Sequence, residues 1–144
     1  MPEIQPFRAI TYSKRADLSR LLCPPYDIVT SLDRERLDHL ETHNFINLIL
    51  PEGVAAYQHS RQLLDEWLAE GMLQERPAPA LYVYRQTFEF GSELYARTAL
   101  IASVRATDYS EGKVLPHEYT HKHAKEDRFH LLEATRANLD CVLG

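Results

Sequence analysis

Four of the chain's seven histidines lie in VLPHEYTHKHAKEDRFH, from Val114 to His130. Within it, His117, Glu118 and His121 spell H-E-x-x-H. That pattern sets two imidazoles one turn apart on a helix with a carboxylate base between them, as a catalytic zinc requires. His123, His130 and Glu133 are the candidates for a third ligand. Three features count against zinc. Pro116 directly precedes the motif, HEYTHKHAKEDR has no apolar stripe to bury a helix, and Asp127 stands where the extended motif wants its third histidine.

The same stretch also reads as a solvated polar loop, or as an anion site. Lys113, Lys122, Lys125 and Arg128 are close in sequence. A helix starting near Lys125 would aim free backbone N–H groups at a phosphate. Arg128 would grip that phosphate bidentately and Lys125 would act as a point charge. Glu118, Glu126 and Asp127 are placed to hold Mg²⁺ or to take a proton from an attacking hydroxyl. Such a mixed set suits phosphoryl transfer, where catalysis is mainly positioning and charge neutralisation.

These residues need a scaffold, and its elements can be read in order. FRAITY (Phe7 to Tyr12) reads as a first strand. In CPPYDIV the two prolines stiffen the chain, so that Tyr26 and Asp27 are presented by a loop. SLDRERLDHLETH reads as a short helix capped by Ser31, with Leu32, Leu37 and Leu40 as its apolar stripe. FINLIL (Phe45 to Leu50) reads as a buried strand stopped by Pro51. A longer helix is expected over about Val54 to Met72, with Leu64, Trp67 and Leu68 on one face and Gly71 as stop signal.

The plainest element is a hairpin over about residues 81–105. With Gly91, Ser92 and Glu93 as a three-residue loop, Phe90 faces Leu94, Phe88 faces Ala96, Tyr84 faces Leu100 and Tyr82 faces Ala102. Arg85, Thr87, Glu89 and Arg97 then share the opposite, solvated face. A last helix is expected over about Lys125 to Leu139, with Glu126 and Asp127 in its first turn and Phe129, Leu132 and Leu139 toward the core. Together these elements predict an α/β or α+β fold, a mixed sheet with packed helices.

Composition bounds the rest. A chain of 144 residues, 44% hydrophobic and 26% charged, fits one soluble domain. A net charge of −5 argues against general nucleic-acid binding. No apolar run is long enough for a membrane helix, and the first residues lack a signal peptide. Cys23 and Cys141 form no C-x-x-C pair, so a reducing, cytoplasmic setting is expected, with both packed as small apolar groups. Trp67 is expected in the core, and His39, His43 and His59 on surfaces or helix faces.

Four blocks in one order, PPYDIV, NFINLILPE, YVYRQTF and HEYTHKHAKEDRFHLLEATRANLD, resemble the N-terminal part of the family known as domain of unknown function 1015. The resemblance spans nearly the whole chain. It implies a ParB- and sulfiredoxin-like fold, and a single N-terminal domain, residues 1–144, cut from a longer protein. It also implies kinship with free serine kinases, which phosphorylate L-serine with Mg²⁺ and a donor such as ATP, ADP or pyrophosphate. The partners implied are a small-molecule substrate and the missing C-terminal part, with no nucleic acid or membrane. The positions carried over are Pro25, Tyr26 and Asp27, then His117, Glu118, Thr120, Lys125, Glu126, Asp127 and Arg128. Glu118 or Asp127 would be general base, His117, Lys125 and Arg128 would hold phosphate, and Thr120 would add a hydroxyl donor. Tyr26 and Asp27 fit a substrate role or a structural turn equally. His121 falls outside the shared pattern, which removes zinc's second ligand. The competing readings are a non-catalytic phosphate- or nucleotide-binding module and a zinc-dependent hydrolase.

Overall fold

Asn44 sets the local structure of the first apolar block. Fully buried, it accepts a hydrogen bond from the Ile46 amide at 3.0 Å and donates to the Arg20 carbonyl at 2.7 Å. That arrangement opens a helical turn, so FINLIL is the short helix α3 (Ile46–Ile49) and not the expected strand. A short apolar run without period suits a buried strand and a buried helix turn alike. Here an asparagine bonding two residues on decides between them.

The computed structural model describes residues 1–116, 119 and 121–141. The remaining elements are β1 (Ile4–Gln5), β2 (Ile10–Tyr12), α1 (Leu18–Leu21), a 3₁₀ turn (Tyr26–Ile28), α2 (Ser31–Leu40), α4 (Ala56–Ala69), β3 (Leu73–Glu75), β4 (Tyr82–Phe90), β5 (Glu93–Ile101), β6 (Ser103–Val104), a second 3₁₀ turn (Tyr109–Glu111) and α5 (Lys122–Thr135). The fold is α+β. Among the described residues its strands form three two-stranded antiparallel pairs, β1–β6, β2–β3 and β4–β5, in place of the single mixed sheet expected. The expected first strand is split accordingly: Phe7 makes only an isolated bridge to Ala80, and the regular strand begins at Ile10.

The chain divides into two compact units. One joins residues 10–75 to 119–144 and holds the helices. Its core has two neighbouring clusters, Leu48, Leu64, Trp67 and Leu73, and Leu37, Ile46 and Ile49, with Phe45 and Leu139 packed against both. Buried α3 therefore lies at the centre, and the ends of its carbonyl ladder need donors. Three successive carbonyls find them on three different helices. Ser60 of α4 donates to Leu48 O at 2.8 Å, Arg128 of α5 to Ile49 O at 2.7 Å, and Arg34 of α2 to Leu50 O at 2.9 Å.

Other boundaries shift by small amounts with clear causes. Thr30, not Ser31, caps α2, in a reciprocal capping box with Asp33. Leu37 is the buried residue of that helix, and Leu32 is exposed. α4 buries Leu64 and Trp67 as expected. α5 begins at Lys122, so Glu126 and Asp127 stand in its second turn. It buries Leu131 and Thr135, while Phe129 and Leu132 are exposed.

The other unit joins residues 1–9 to 76–118 and holds the hairpin. Here Phe90 pairs with Glu93, Phe88 with Tyr95, Tyr84 with Ala99 and Tyr82 with Ile101. The loop has two residues, Gly91 and Ser92, and the register is one residue from the expected one. Gly91 takes φ +66° while Ser92 does not turn positive, as a two-residue turn with glycine first requires. The slip moves Arg97 to the face of Tyr84, Phe88 and Phe90, where it donates to Gln86 at 2.8 Å. Beneath the hairpin, Tyr82 donates to Phe7 O at 3.2 Å and receives the Ala9 amide at 3.1 Å.

Candidate functional site

In the helical unit, two carboxylates, a core carbonyl and an aromatic ring meet one guanidinium. Arg128, in the second turn of α5, donates through Nε to Asp127 Oδ2 at 2.9 Å and through Nη1 to Asp140 Oδ2 at 3.4 Å. Nη1 also donates to Ile49 O at 2.7 Å, and Nη2 makes a second short bond to Asp127. The guanidinium carbon lies 4.3 Å from the centroid of the Tyr26 ring, a cation–π distance. On the far side of Asp127, Tyr57 of α4 donates its hydroxyl to Oδ1 at 2.8 Å.

The two carboxylates are tuned in opposite directions. Burial alone would raise Asp127, but hydrogen bonds from Arg128 and Tyr57 outweigh it and hold the carboxyl below the ordinary range. Asp140 is raised, chiefly by burial and further by the charge of Asp27, with Arg128 offsetting only part. Of the two, Asp127 is thus favoured as the anion that orients its neighbours, and Asp140 is the stronger proton acceptor. Cys23 is pushed up to about 11 by burial, with Asp140 adding to the shift, so its thiol is inert at neutral pH.

These shifts predict a two-sided pH dependence of stability. An unfolded aspartate titrates near ~3.9. Asp140, raised in the folded state, binds its proton earlier than the unfolded chain does, so acidification from neutral through that raised range adds stability. Asp127, lowered in the folded state, contributes stability above the unfolded value that is lost as pH falls through its folded value. Urea unfolding against pH should show Asp140→Asn losing the rise and Asp127→Asn losing part of the acid-side fall. An acid limb unchanged in Asp127→Asn would refute the assignment.

The expected site residues separate into three groups. Tyr26, Asp127 and Arg128 come together, with Asp27 near enough to influence Asp140. Lys125 and Glu126 are exposed on α5, and Glu126 pairs with Lys122 at 3.7 Å. His117, Glu118 and Thr120 lie outside the described residues. The Lys125 amide donates to His121 O at 3.1 Å, so it is not one of the free N–H groups expected for a phosphate. His121 is the residue preceding α5, and the helix face expected to join it to His117 falls partly outside the described residues. Tyr26 and Asp27 sit in a 3₁₀ turn in place of the expected stiff loop.

Asp140, Tyr57 and the Ile49 carbonyl were missed. Asp140 closes the fourth sequence block, a signal that was available. Tyr57 and Ile49 gave none, since an exposed-looking helix tyrosine and a core carbonyl have no pattern. Cys23 packs against the core as expected, but Cys141 is exposed and does not; both are free thiols. His43 is half-buried against Trp67 and pairs with Glu70 at 2.9 Å, while His39 and His59 are exposed.

Compared with protein families, residues 4–144 match the one described as "Protein of unknown function (DUF1015)". The chain belongs to this family. No curated protein and no solved structure matches it. Among the described residues no helix is long and apolar enough to cross a membrane.

Proposed function

We propose that the chain is part of a small-molecule phosphotransferase, with free L-serine as acceptor and Mg²⁺ with ATP, ADP or pyrophosphate as donor. What carries the reading is convergence on one guanidinium. Three of the four blocks that resemble the relatives of free serine kinases send a residue to Arg128: Tyr26 from the first, Ile49 from the second, and Asp127 and Asp140 from the last. Phosphoryl transfer asks for fixed cations, an anion to orient them and a base of raised pKa. Arg128, Asp127 and Asp140 supply that triplet in this reading. Asp127, held ionised, is the orienting group, which leaves Glu118 or Asp140 as base for the substrate hydroxyl. His117, Lys125 and Thr120 keep the phosphate-binding roles that the resemblance implies. A reducing, cytoplasmic setting and a ParB- and sulfiredoxin-like ancestry belong to the same proposal.

The second reading is a phosphate- or nucleotide-binding module without chemistry, and in either reading the phosphate would meet an Arg128 most of whose N–H groups already face protein acceptors. The test separates the two. The protein is incubated with Mg²⁺, L-serine and each donor in turn, and phosphoserine and donor binding are both measured. Phosphoserine that disappears in Glu118→Gln or Asp140→Asn supports the kinase. Donor binding without product from any donor supports the module and ends the kinase reading.

A further inference from the structure

The β4–β5 hairpin is long and largely exposed. A two-stranded ribbon is marginal in water on its own, yet β4 and β5 run nine residues each with large apolar side chains in solvent. Val83 is 73% exposed, Phe90 75% and Leu94 71%. Among the described residues no strand pairs with the outer edge of β4. Its free polar groups follow from the turn: Phe90 and Glu93 close it, so alternate residues from Phe90 backward bond to β5, while Glu89, Thr87, Arg85 and Val83 turn their N–H and C=O outward.

In the sequence of that edge, YRQTFEF from Tyr84 to Phe90, an aromatic residue stands at each end and the oppositely charged Arg85 and Glu89 lie equally far from the central Thr87. Two antiparallel copies related by a two-fold axis at Thr87 pair Thr87 with Thr87, and Arg85 with Glu89 of the second copy, twice over. On the other face they pair Tyr84 with Phe90 and Gln86 with Phe88. Threonine pairs, opposite charges and aromatic pairs are the favourable cross-strand combinations. Neighbouring registers lose this match. Centring on Arg85 or Glu89 opposes like charges, and centring on Gln86 or Phe88 sets threonine against a charge. All the outward amides of the segment are used, as an isologous interface allows.

We propose that β4 pairs with β4 of a second copy of this chain to give a continuous four-stranded antiparallel sheet. The charge complementarity of Arg85 and Glu89 selects that occupant, because within one strand the two lie four residues apart and have no means of meeting. Sedimentation should show a concentration-dependent dimer. Arg85→Glu and Glu89→Arg should each weaken it by roughly tenfold or more, since each substitution opposes like charges at two symmetric places. The double exchange should restore it to within about threefold, because both pairs re-form with signs reversed. In a Cys141→Ser background, Thr87→Cys should cross-link rapidly on oxidation, since directly opposed residues have Cα atoms about 5.5 Å apart. Thr98→Cys, on β5, should not. A monomer at all concentrations, a dimer indifferent to the charge changes, or equal cross-linking at 87 and 98 would each overturn the proposal; the first would assign the face to another partner.

Discussion

Arg128→Ala is expected to lower the free energy of unfolding by about 2–3 kcal/mol. The guanidinium is a donor to two carboxylates and to the carbonyl of Ile49, a residue 1% exposed. Its removal leaves that carbonyl without its donor and Asp140 half-buried without its cation. Asp127 keeps the Tyr57 hydroxyl and suffers less. Removing one partner of a fully buried pair costs about 3–5 kcal/mol. Here the Arg128 side chain is 20% exposed and its carboxylate partners 30% and 35%, so water screens part of the interaction and the lower figure applies. Arg128→Lys should recover less than half, because a single ammonium cannot span the planar fork of acceptors. Urea unfolding of the three proteins is the measurement. A loss under about 1 kcal/mol in the alanine variant would mean that the cluster does not hold the helices together.

Trp67→Ala should cost more, about 3–5 kcal/mol. The indole is 2% exposed and touches the core cluster of Leu48, Leu64 and Leu73, with the rings of His43 and Tyr12 at 5.3 and 6.4 Å. Its deletion opens a cavity between α3, α4 and β3 that short elements cannot refill. Trp67→Phe keeps most of the apolar volume and should lose only about 1–2 kcal/mol. Comparable losses from the two variants would point to the indole N–H instead of volume. Denaturant unfolding with unchanged slope would confirm that the effect lies in stability and not in the compactness of either state.

What could be read from the sequence was what period and punctuation encode. α2 and α4 follow from apolar spacing with cap and stop residues, and the hairpin from two alternating runs around glycine. The last helix was legible in kind, though its start was three residues late because His121 offers no side-chain cap to mark it. The hairpin register failed by one because Gly-Ser and Gly-Ser-Glu are both plausible loops, and the choice rests on the positive φ taken by Gly91. α3 was misread because its helical turn depends on Asn44, whose partners Arg20 and Ile46 lie on either side of it in sequence. Of the site, the charged half was legible: Asp127 and Arg128 stood out by type. The half that gives it shape, Tyr57 and the Ile49 carbonyl, depends on helices meeting, which no local pattern carries.

The three carbonyls at the end of α3 have a consequence for affinity. A phosphate that drew Arg128 away from Ile49 O would strip a buried acceptor of its donor, at a cost of about 1–3 kcal/mol. That cost is roughly a five- to 150-fold loss in apparent affinity. An anion approaching from the exposed side, engaging the guanidinium while Ile49 keeps its bond, would avoid it. Weak anion binding by the wild-type chain would thus reflect the energy of holding α3 in place, and not a lack of positive charge.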